Sequence, residues 1–128
     1  MKVYAMVFVV ILSFAVFAQS EAVVDQAPQN FEKALKSGNP GLVESAIFLT
    51  VKYKLFYPEK DTGKLVKVID RLVTEGQTKC IRYKAYLASE YLKHGELLAN
   101  VEKENYKDGD QFFRMLAHKL ENESLVTR

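Results

Sequence analysis

An all-α fold is what the sequence predicts, on three observations. Apolar residues recur at helical rather than alternating spacing from Asn30 onward. Strand signals are nearly absent, with no NG or DG turn between alternating apolar runs. Helix starts and stops punctuate the chain at Asn39-Pro40, Pro58, Gly76, Thr78 and Gly95. Together they predict two antiparallel helical hairpins, a short α-solenoid or bundle, followed by a C-terminal helix.

Residues 1–18 read as a signal peptide. Lys2 supplies a minimal positive start, and Val3 to Phe17 is uncharged with Ser13 as its polar interruption. Small residues Val16 and Ala18 place cleavage after Ala18. The apolar run is shorter than the ~20 residues of a membrane-spanning helix. With the only cysteine at Cys80, no acylated cysteine stands at the cleavage point. The expectation is export to a periplasm or the exterior, with no membrane attachment once the leader is removed.

Residues 19–29 are polar, carry Pro28 and show no period, so they read as a flexible lead-in. The helical domain is expected over 30–122. Asn30 caps a short helix from Phe31 to Ser37, ending at Gly38 in the left-handed conformation glycine favours there. Asn39 caps the next helix with Pro40 at its first position, and that helix runs to about Tyr57 before Pro58. Asp61 or Thr62 caps a third helix, Lys64 to Glu75, which stops at Gly76. Thr78 caps a fourth, ending at Gly95. Glu96 to Val101 prolongs or restarts a helix, and Asn105-Tyr106-Lys107 reads as a loop. Asp108 or Asp110 caps a last helix through Leu120, leaving a frayed tail over 123–128.

Helices two and four carry matching lines of residues. Leu42, Ala46, Leu49 and Tyr53 share one face of helix two, and Ile81, Ala85, Ala88 and Leu92 share one face of helix four. The two quartets are offset by a constant 39 residues. Val43, Ile47, Phe48, Val51 and Leu55 fill the rest of helix two, which places it centrally, between helices one, three and four. The run Ile81-Arg82-Tyr83-Lys84-Ala85-Tyr86-Leu87-Ala88, in a helical hairpin repeating with a period near 40, resembles the HEAT repeat and HEAT-like family of α-solenoids. The first unit is similar at Leu42, Ala46 and Leu49 but has Val43 where the family's Arg would stand. The competing assignment is two ordinary amphipathic hairpins in a bundle. The resemblance implies a protein-binding scaffold, although such stacks usually need about three units and residues 31–94 hold two.

The charge balance, 18 Lys+Arg against 16 Asp+Glu for a net +2, lacks the basic excess of a nucleic-acid binder. No nucleophile elbow, zinc-protease, P-loop or dinucleotide motif occurs, and two histidines leave little for acid–base work. The expected role is therefore non-enzymatic, with no cofactor and no metal. Lys79, Tyr83, Tyr86 and Glu90 project opposite the buried quartet of helix four, with Arg82 on the flank, and are the candidate contacts for a protein partner. The competing assignment packs both rings on a neighbouring helix and gives Arg82 an acid in the adjacent turn. Cys80 reads as a small hydrophobe on the edge of the apolar arc, or as a reactive thiol. His94 fits a helix C-terminus. Met115 and His118 make two ligands without a third. Asp108-Gly109-Asp110 fails as a calcium loop, with Phe112 and Lys119 at positions that need oxygen ligands. Asn122-Glu123-Ser124 spells a glycosylation sequon. Alternatives to the interaction module are a small bundle binding an apolar ligand and a structural subunit of a cell-envelope assembly.

Overall fold

The computed structural model describes residues 21–99, 101 and 108–126, and all its regular structure is α-helical. The signal peptide expected over residues 1–18 and the loop expected at 105–107 lie outside the described residues. The chain divides into two compact units, 1–30 and 31–128. Of the first, residues 21–30 are described and helical, so the flexible lead-in expected over 19–29 is helix where it is described. Ala22, Gln26, Ala27 and Gln29 are all compatible with helix, and Pro28 removes one rung of the ladder without ending it. Asn30 is consequently a helix-interior residue, not a cap.

The described helices are α1 (21–35), α2 (Pro40–Phe56), α3 (Gly63–Glu75), α4 (Lys79–Lys93), α5 (Gly95–Ala99) and α6 (Gly109–Val126). Their starts follow the side chains. Asn39 Oδ1 accepts from the amides of Gly41 and Leu42, Thr78 Oγ1 from Ile81, and Asp108 Oδ1 from Asp110. At α3 the work is split: Thr62 holds the capping position without a side-chain bond, while Asp61 Oδ1 accepts from the Gly63 amide. α6 runs on to Val126, beyond Leu120 and through most of the tail expected to fray. No described glycine takes a positive φ, so the left-handed stop expected at Gly38 does not form.

α3 and α4 form an antiparallel hairpin. Gly76 turns it, and away from the turn Asp70, midway along α3, pairs with Ser89 and Lys93 of α4. Phe31 of α1 meets Tyr53 of α2 edge-on at 5.9 Å. The centre of the second unit is α4, which packs against α2, α3, α5 and α6. That corrects the central place expected for α2. The reason lies in the quartets: Ile81, Ala85, Ala88 and Leu92 are all buried, whereas Leu42 and Leu49 stay exposed and only Ala46 and Tyr53 of theirs go inside. Buried positions of the two helices correspond best at an offset of 38, pairing Val43 with Ile81, Ile47 with Ala85, Thr50 with Ala88, Val51 with Ser89 and Tyr53 with Tyr91.

α6 lies along α4 in the same direction, since Asp110 reaches Lys84 and the Leu116 carbonyl accepts from the Tyr91 hydroxyl at 2.7 Å. It also touches α2, where Phe48 meets Phe112 at 5.2 Å and Phe113 at 6.5 Å. Phe112, Phe113 and Leu116 thereby close the core over both helices. Buried polar groups are matched: Thr50 Oγ1 donates to the Ala46 carbonyl, and Ser89 Oγ to Asp70. Among the described residues no helix is long and apolar enough to cross a membrane.

Candidate interaction surface

One face of α4 is turned away from the core. Lys79, Tyr83, Tyr86 and Glu90 recur at helical spacing along it. Tyr83 keeps 54% and Tyr86 46% of its surface exposed, and Lys79 is exposed beside them. Glu90 is half-buried, 3.9 Å from His94. Arg82 leaves this group. Its guanidinium donates to the Gly76 carbonyl at 2.7 Å, bracing the α3–α4 turn through a backbone oxygen rather than an acid.

Beside Tyr83, α4 and α6 bound an open cleft of about 500 Å³. Phe113 and Ala117 supply its apolar part, and Arg114, His118 and Glu121 stand along the α6 wall. At one end the Lys84 ammonium bridges Asp110 at 2.6 Å and Glu44 at 3.1 Å, tying α4 to α6 and α2. It also lies 5.6 Å from the Phe113 ring centre. Burial alone would depress the Lys84 ammonium, but the carboxylates of Asp110 and Glu44 outweigh it and hold its pKa above the usual lysine range. The hydrogen bond to Lys84 holds the Asp110 carboxyl below its ordinary value.

Cys80 completes this cluster and is exposed, not the buried small hydrophobe expected. Its Sγ donates to Glu44 Oε1 at 2.8 Å. That bond, then burial, pushes the thiol pKa up, and the same bond is the largest influence lowering Glu44. A thiol kept protonated is a poor nucleophile.

The remaining chemically suggestive residues have structural partners. The His94 amide closes α4 on the Glu90 carbonyl, and its ring lies between Glu90 and Glu96. Met115 packs on the core while His118 Nδ1 receives a hydrogen bond from Asn122, so this pair does not converge on a metal. Among the described residues no three His, Cys, Asp or Glu side chains cluster as ligands. Sequence reasoning missed the exposed stripe of Leu42, Leu49 and Phe56 on α2. Its signal was the seven-residue spacing, hidden because α2 is apolar on every side. No family model, curated protein or solved structure matches this chain.

Proposed function

We propose that this chain is an exported, non-enzymatic helical module that captures a protein partner on the outward face of α4. The observation carrying the reading is the exposure of Tyr83 and Tyr86 on a helix whose opposite side is wholly buried. Tyrosine offers a large, rigid contact area with a polar tip at low entropic cost, which is why it recurs at binding hot spots. Lys79 and Glu90 give the rim charges of both signs, and the cleft beside Tyr83 offers a recess for a partner side chain. Arg82 contributes indirectly, by holding the turn from which α4 starts. The leader-like residues 1–18 supply the argument for export.

The test is affinity capture from the native compartment with the wild-type protein and the Tyr83→Ala and Tyr86→Ala variants as bait. Loss of the captured partner with a stability change within about 0.5 kcal/mol supports the reading. Undiminished capture by both variants assigns binding to another surface. A large fall in stability assigns the rings to the core.

A further inference from the structure

The cleft between α4 and α6 gathers donors that have no acceptor. Arg114 lines it and makes no hydrogen bond or ion pair among the described residues. His118 stands one helical turn further along the same wall, about 6 Å on at 1.5 Å per residue. Its Nδ1 accepts from the Asn122 side-chain nitrogen at 2.9 Å. An amide nitrogen only donates, so the ring's proton stands on Nε2 as a donor. The Tyr83 hydroxyl, from the α4 side, has no partner among the described residues either. The acceptors, by contrast, are taken: Lys84 binds Asp110 at 2.6 Å, and Glu121 is engaged as well. Phe113 and Ala117 give the cleft its apolar part, and its volume of about 500 Å³ is that of a small-molecule site.

We propose that this cleft binds a small organic acid with an apolar body, its carboxylate on Arg114 and His118 and its hydrocarbon against Phe113 and Ala117. An ionised carboxylate brings acceptors alone, and a guanidinium is the donor that holds it best. Other ligand classes leave something unmatched. A bare inorganic anion leaves Phe113 and Ala117 wet, a neutral hydrocarbon leaves the donors unpaired, and a peptide adds N–H groups where the carboxylates are already occupied. Glu121 sets the orientation. It lies about 10 Å further along α6 than Arg114 and repels a carboxylate, so the charged end points toward Arg114. The site goes beyond partner capture, since Tyr86 lies outside the cleft and the acid needs no protein partner.

NMR titration of the purified protein at neutral pH with 3-phenylpropionate tests this. A ligand of about 11 non-hydrogen atoms in an open cleft binds with a Kd on the order of 1 mM. Affinity falls about tenfold for 3-phenylpropionamide, which lacks the charge, and for acetate, which lacks the apolar body. Resonance shifts centre on Phe113, Arg114, Ala117 and His118. Because Arg114 is exposed, Arg114→Gln keeps the wild-type melting temperature while weakening binding about fivefold or more. Tyr86→Ala binds the acid as the wild type does. An amide that binds as tightly as the acid overturns the proposal, as do undiminished binding by Arg114→Gln and shifts centred elsewhere. Tighter binding of the peptide Gly-Gly-Phe with a free carboxylate also overturns it, by giving the cleft to a chain terminus.

Discussion

Gly76 and Gly38 look alike in the sequence, each a glycine after an apolar helix, but their surroundings separate them. Gly76 has φ −57° and ψ 140°, a backbone open to any residue, so its requirement is steric. A Cβ there would lie 2.6 Å from the Leu72 carbonyl oxygen and 2.9 Å from Ile81 Cγ2. The turn would have to open to admit it. Gly76→Ala is therefore expected to destabilise by about 1–3 kcal/mol. At Gly38 a Cβ meets nothing within 4 Å, and no described glycine has a positive φ. Gly38→Ala should leave stability unchanged or raise it by about 0.4–1 kcal/mol through the unfolded chain. Urea denaturation of the two variants decides it, and equal effects would refute the contrast. Local spelling revealed both stops but not which one is crowded, because two of the three crowding groups, Ile81 and Arg82, belong to the next helix. Arg82 and Cys80 were opaque for the same reason: their partners, a turn carbonyl and a carboxylate 36 residues away, are tertiary facts.

Caps were the most legible part of α2, α4 and α6, since Asn, Thr and Asp satisfy amides a few residues on without help from the rest of the fold. Asn39 serves two amides at the start of α2, at 3.0 and 3.4 Å. Asn39→Ala is expected to cost about 1 kcal/mol, within the 0.5–2 kcal/mol known for such caps. Asn39→Asp should keep most of that stability by retaining the acceptor. Chemical denaturation reads both, and an unaffected Asn39→Ala would mean the cap is redundant. Helix faces were legible only where composition is lopsided. α4 carries Lys79, Tyr83, Tyr86 and Glu90 along one side, so its quartet Ile81, Ala85, Ala88 and Leu92 could point only inward, and all four are buried. α2 has no polar side to orient it, and its quartet straddles the boundary between core and solvent. Periodicity placed α2 as a helix but could not choose which of its apolar arcs to bury.

In the whole second unit, the paired carboxylates set how stability follows pH. Glu44 is held below the ordinary carboxylate range first by Cys80 and then by Lys84, and Asp110 by Lys84. Burial would raise Asp70, but hydrogen bonds from Ser89 and Lys93 prevail and lower it. Each of these groups binds a proton more readily when unfolded, so its contribution is present above the usual carboxylate pKa of about 4. That contribution disappears as the pH falls through the lowered folded value. Lys84 and Tyr91 act at the other end. The Lys84 contribution is complete below about pH 10 and is lost as pH rises through its raised folded pKa. Burial, with Glu123 adding to it, pushes the Tyr91 phenol up to about 12, so ionisation in the unfolded chain draws stability away over that same alkaline rise. Thermal or urea unfolding should therefore show a plateau from about pH 5 to 9 with a fall on each side. Lys84→Gln should shrink the acid limb without abolishing it, because Glu44 keeps its bond from Cys80 and Asp70 keeps Ser89 and Lys93. Salt should shrink it further through Asp110, whose side chain is 67% exposed and open to screening. An acid limb of the same size in Lys84→Gln would show that the bridge joining α2, α4 and α6 contributes nothing to acid stability, leaving Asp70 and the Cys80-bonded Glu44 to account for it.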